Sequence, residues 1–208
     1  MMDVSRLLFF LLLSAMVSLI PGPAMLHVIT TGCSRRAKAC LQAVIGATAG
    51  TSFHVAAAAF GLATLVNRWP EALTPIRGAG ACFLLVAAVK SLSGREATRV
   101  APPSLERLGE DALHAGIRAG LRRPILFPFF FAYLSQFIDP DALPPEYQSL
   151  LLAGVLTATL LTVFTAYALL AALFSETVLK RSGRAAPAQR RISLLFHLLG
   201  FRAASPGK

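Results

Sequence analysis

Charge is scarce in this chain. Only 14% of its 208 residues are Asp, Glu, Lys or Arg, against about 25% in an average soluble domain. That shortage excludes an ordinary water-facing surface. Cysteine is scarcer: Cys33, Cys40 and Cys82 are odd in number and form no C-x-x-C pair. They exclude a disulfide framework and a zinc site, and read as small apolar filler in helices. No A-x-A-like cleavage site follows the apolar start, so Met1–Ala24 reads as a retained first helix rather than a signal peptide. Asp and Glu are missing from the interior of every apolar block, with Glu176 only near an end. No nucleophile–base pair stands inside the blocks, so neither an enzyme nor a cofactor is expected.

What the chain has is apolar length. It is 55% hydrophobic, with a mean hydropathy of +0.64. Leu7–Thr31, Cys40–Val66, Gly78–Val89 and Gln148–Ser175 hold no Asp, Glu, Lys or Arg. A bilayer-spanning helix needs roughly 20 such residues. The expected segments are Leu7–Thr31, Cys40–Val66, Thr74–Leu92, Arg123–Ile138, Gln148–Leu179 and Ile192–Ser205. Arg77 and Lys90 snorkel at the ends of the third. The fold class is therefore all-α, a polytopic membrane bundle of six segments. One integral domain divides into a first three-helix half (1–92), a cytoplasmic connection (93–122) and a second half (123–208). Three segments per half make a 3+3 inverted repeat a candidate architecture. In the connection, Leu105, Leu108, Ala112, Leu113, Ile117 and Leu121 fall at helical spacing after a candidate cap, Ser104. They predict an amphipathic helix on the inner membrane surface.

The net charge of +10 would suggest nucleic acid if the protein were soluble, but its placement points elsewhere. Fifteen of the twenty Lys and Arg residues fall in the first, third and fifth connections, while the ten acidic residues divide evenly between the two sides. The positive-inside rule places those connections in the cytoplasm and both termini outside. Membrane lipid is the partner this implies, not nucleic acid. A bacterial plasma membrane is the expected location; homo-oligomerisation is left open.

The stretch LIPGPAMLH interrupts the first apolar run. A helix broken in hydrocarbon strands backbone groups, so it persists only where protein or a wet cavity covers it. Pro23 suits the first position of a new helix. The amides of Ala24 and Met25 would then face the gap left by Pro21 and Gly22, at a helix start that favours anions. A structural kink is the bland alternative. In the second segment Gln42, Gly46, Gly50 and His54 recur every four residues, forming one ridge, with Thr51 beside it. Glycines so spaced permit close helix approach. Intramembrane ionisable groups default to functional hypotheses. His54 and His27 are the candidate proton carriers here, while His197 reads as an interface residue. Pro124 and Pro128 open the fourth segment, whose five phenylalanines read as lipid-facing and packing residues. Gln136 stands near its outer end.

The order of these features resembles the lysine-exporter (LysE/RhtB) family of bacterial amino-acid efflux transporters. The likeness runs from about Leu7 to Arg202. It is carried by PGP after an apolar first helix, Gly46-x-x-x-Gly50-x-x-x-His54, Gly61-Leu62, Gly80-Ala-Cys-Phe-Leu84, and Pro124 followed by Gln136-Phe137. The resemblance implies six helices, no ATPase domain, and export of an amino acid or related small zwitterion by proton antiport. On the reading of the breaks and the ridge given above, the substrate path runs along Pro21, Gly22, Pro23, Ala24, Met25, Gln42, Gly46, Gly50, Thr51, His54, Pro124 and Gln136. This chain departs from the family pattern at Ala24 (usually Asn), Thr51 (usually Asp), Arg123 (usually Asn), Ser135 (usually Pro) and Cys40 (commonly Gly). A soft-metal exporter using His27, His54 and Cys82, and a divergent inactive or regulatory subunit, are the alternative readings.

Overall fold

A computed structural model describes residues 4–19, 22–33, 37–92, 112–123, 125–139 and 143–182. Every element among them is helical: α1 (Val4–Ser18), α2 (Pro23–Cys33), α3 (Ala37–Arg68), a 3-10 turn (Pro70–Ala72), α4 (Leu73–Leu92), α5 (Ala112–Leu121), α6 (Leu126–Ser135) and α7 (Pro145–Ser182). The punctuation is chemical. Trp69, extended at φ −140° as the residue before a proline prefers, ends α3, and Pro70 opens the turn into α4. Pro145 starts α7 at the one position where a missing N–H costs nothing, with Glu146 in the positive first turn.

Ala37–Arg68, Pro70–Val89 and Pro145–Phe174 are each long and apolar enough to cross a membrane. They contain most of the second, third and fifth expected segments. Their outward faces carry Phe53, Phe60, Leu85, Leu173 and Phe174, all well exposed, as lipid-facing surfaces should be. The first expected segment is a bent pair: the axes of α1 and α2 differ by 69°. Counting that pair as one span gives four.

The expected fourth segment, Arg123–Ile138, contains one short apolar helix, α6. Two short helices, α5 and α6, flank Arg122–Ile125. A helix does form in the connection. It runs alongside α3, in the same direction, with Gly46 and Gly50 of α3 set against Gly116 and Gly120 of α5. A Cβ built on Gly46 would lie 2.2 Å from the Leu113 carbonyl oxygen. One on Gly50 would lie 2.3 Å from that of Ile117, and one on Gly120 2.6 Å from the Thr51 nitrogen. Four glycines let two backbones touch: the face of α5 that is buried is the small one, Ala112, Gly116 and Gly120, while Leu113 and Ile117 are half-buried and Leu121 is exposed. The expected sixth segment, Ile192–Ser205, and the cap Ser104 lie outside the described residues.

α3 is the hub, packing on α2, α5, α6 and α7, while α4 leans on α6. The core runs through Val28, Val55, Leu62, Leu134, Leu152 and Leu156, all fully buried. Two polar clasps hold the bundle. The Tyr133 hydroxyl, in α6, donates to the Phe10 carbonyl at 3.1 Å and lies 2.9 Å from the Ser14 hydroxyl, both in α1. Its ring stacks on Phe10 at 5.2 Å. From α4, the Arg77 guanidinium donates to the carbonyls of Ser135 (3.0 Å) and Ile138, capping the C-terminal end of α6.

Candidate site at the paired helix breaks

The two interruptions meet. Arg123, between α5 and α6, lays its guanidinium against Gly22, between α1 and α2. A Cβ on Gly22 would fall 2.5 Å from an Arg123 Nη, so glycine is what leaves room for the cation. Around this junction opens a cavity of about 390 Å³ walled by all seven helices, within the usual size range for a small-molecule site. Its polar lining residues are Ser18, Thr51, Arg123 and Tyr133. Leu13, Met25, Phe83, Leu84, Phe129, Phe130 and Phe164 are among its apolar ones. Among the described residues Arg123 is the one charged residue of the lining, and no carboxylate pairs with it.

The backbone at the junction is uneven in what it offers. The first amide bonded at the start of α2 is that of Leu26, which donates to the Gly22 carbonyl at 2.9 Å. The amides of Ala24 and Met25 therefore have no acceptor within their own helix. Both residues line the cavity. Several carbonyls near the opposing helix ends are engaged. The Leu19 amide takes the Ala15 and Met16 carbonyls, and the Ser18 hydroxyl takes that of Ser14 at 2.7 Å. The Arg122 amide takes the Arg118 carbonyl at 3.0 Å. His54 Nε2 lies 3.2 Å from the Leu121 carbonyl at the end of α5; since a carbonyl only accepts, that nitrogen carries the proton.

Among the residues expected on a substrate path, Gly22, Ala24, Met25 and Thr51 line this cavity; Pro23 is half-buried at the start of α2. Gly46 and Gly50 are covered by the α5 backbone. Gln42 is half-buried on α3, away from the cavity lining. Gln136 lies near the far end of α6, donating to the Arg77 carbonyl at 3.1 Å, and lines a separate open pocket with Arg6 and Phe9. Pro21 and Pro124 lie outside the described residues. The two candidate proton carriers bracket α5: His27 Nε2 donates to the Ala112 carbonyl at 3.0 Å at its start, and His54 binds at its end. Neither lines the cavity. Among the described residues His27, His54 and Cys82 do not assemble into a group able to hold a metal ion.

Arg123 is absent from the substrate path read from the sequence, where it marks only a segment start and a departure from the family pattern; Arg and Lys beside an apolar run are ordinarily loop residues. The available signal was its place within RRPILFP: a cation flanking a proline inside a second interrupted segment, in the position corresponding to PGP.

No solved structure gives a significant match to the chain. An uncharacterised membrane protein of Vibrio cholerae is 28% identical over 159 residues, covering 76% of this chain and 77% of that one. The homoserine/homoserine lactone efflux protein of Salmonella typhimurium is 26% identical over 163 residues, 78% of each chain, and that of Salmonella typhi matches equally. The family model for LysE type translocators matches residues 15–207. With nearly the whole length matched, and an apolar helical bundle broken at its first span, this chain belongs to the LysE type translocator family.

Proposed function

We propose that the protein is a secondary exporter of an amino acid or a chemically related small metabolite. The carboxylate end docks between Arg123 and the open amides of Ala24 and Met25. The cavity at the paired breaks carries this reading: the Arg123 cation sits where two interrupted helices meet. The family and the efflux relatives support the direction and class of transport. Thr51 and Ser18 supply hydroxyls beside the docked group, and Met25, Phe129 and Phe130 receive its apolar part.

The same scheme has six spans, the last being Ile192–Ser205, arranged as an inverted repeat. Its support is the recurrence of one pattern. The broken pair α1/α2 is followed by the long α3, and the broken pair α5/α6 by the long α7. With α5 included, the second break falls mid-segment, as the first does, whereas a segment starting at Arg123 would carry it at its end. The charge bias of the connections supports a cytoplasmic start for α3 and α5, with both termini outside. Proton coupling runs through His54 and His27, whose protonation would alter how α5 is held at its two ends. The soft-metal reading lacks a clustered ligand set. An inactive subunit would give no flux at all.

The test is efflux of radiolabelled amino acids from reconstituted vesicles, with wild type, Arg123→Gln, Arg123→Lys and His54→Gln. The scheme expects flux above empty vesicles, loss in Arg123→Gln, partial recovery in Arg123→Lys, and loss of pH-gradient drive in His54→Gln. Flux equal to that of empty vesicles for every substrate would overturn it.

A further inference from the structure

Among the described residues, the charged side chain of the cavity is a guanidinium and no Asp or Glu lines the space. The amides of Ala24 and Met25, at the start of α2, have no acceptor within their own helix. The cavity therefore offers an anion a charged partner and offers an ammonium no carboxylate among the described side chains. A zwitterionic amino acid docked by its carboxylate would bring its ammonium into an apolar pocket within reach of Arg123, with like charge ahead and no counter-charge behind. The rest of the lining, dominated by Leu13, Leu84, Phe83, Phe129 and Phe164, accepts an apolar body.

We infer that the preferred cargo is a small monocarboxylate with an apolar tail whose α-nitrogen is absent or uncharged: the deaminated or N-acylated counterpart of an apolar amino acid rather than the amino acid itself. This rests on the exporter reading and narrows it. The discriminating groups are Arg123, which holds the carboxylate, and Thr51 and Ala24, which stand where a carboxylate or amide could have received an amine. The missing counter-charge is worth roughly tenfold or more in affinity between the two cargo classes.

The experiment uses the full chain in vesicles and in detergent. Three probes share one side chain: leucine (carboxylate and ammonium), 4-methyl-2-oxopentanoate (carboxylate only) and leucinamide (ammonium only). Flux and ligand-induced thermal stabilisation are both read. The inference expects the oxo acid to bind about tenfold more tightly than leucine, leucinamide not to bind, and Arg123→Gln to abolish oxo-acid binding while the variant still unfolds cooperatively. Thr51→Asp should shift preference back toward leucine. Leucine binding as tightly as the oxo acid, or more tightly, with transport intact, overturns the inference and leaves the exporter standing. Binding and flux of neither overturns both.

Discussion

Replacing Gly50 by alanine isolates the contact that organises the bundle. The new Cβ would sit 2.3 Å from the Ile117 carbonyl oxygen, 3.0 Å from its carbon and 3.1 Å from the Gly120 Cα. All three are backbone atoms of α5, so no side-chain rotation relieves the overlap, and α5 must move off α3 by about 1 Å. Overpacking of this kind costs about 1–3 kcal/mol, and a rigid neighbour points to the upper end. Alanine returns about 1 kcal/mol of helix propensity, leaving a net loss of about 2 kcal/mol. Gly154 in α7 is the internal control, since a Cβ there meets nothing within 4 Å; Gly154→Ala should gain up to about 1 kcal/mol. The two single-methyl variants should thus differ by about 3 kcal/mol, or roughly 6–12 °C in Tm for a chain of this size. Thermal unfolding of the purified variants in one detergent reads the difference. Gly50→Ala melting with or above Gly154→Ala would refute the close α3–α5 packing, and with it the position of the second break.

Tyr133→Phe keeps the stack on Phe10 but removes the hydroxyl shared with Ser14 and the Phe10 carbonyl. It should lower stability by about 1–2 kcal/mol, measured by the same melts. Arg77→Ala uncaps α6 at Ser135 and Ile138 and should cost about 1.5–3 kcal/mol, with Arg77→Lys recovering only part because an ammonium lacks the planar fork. Gly22→Ala behaves differently from Gly50→Ala. Its Cβ meets the flexible end of Arg123 rather than backbone, so the melt should move little while flux falls several-fold.

Much of the fold could be read from the chain, and the failures share a cause. The PGP break and the glycine ridge of α3 were legible because prolines and four-residue spacing act locally. The ridge's partner was not. Gly116 and Gly120 repeat the same spacing, yet between Leu113, Ile117 and Leu121 they look like the small residues of an amphipathic surface helix. A helix face cannot announce whether lipid headgroups or another backbone will cover it. Arg123 was misplaced because charge counting assigns each cation to a loop, whereas two adjoining helix breaks make a polar niche in which a guanidinium can stay. Ala24, beside PGP, and Thr51, beside the ridge, line the cavity, whereas Gln42 on the ridge and Gln136 on α6 lie away from it, since distance along a helix does not report which side a cavity opens on.

The central claim is that the paired breaks enclose a water-reached, anion-attracting cavity. The most direct measurement places one thiol there: Ala24→Cys in a chain whose three native cysteines are alanine, reconstituted in vesicles, and treated with anionic or cationic methanethiosulfonate reagents. Each rate is normalised to the reagent's rate with a free thiol. The account predicts modification by both, several-fold faster for the anionic reagent, with the preference abolished by Arg123→Gln. A thiol that neither reagent reaches until the protein is unfolded, or a preference for the cation, would contradict it.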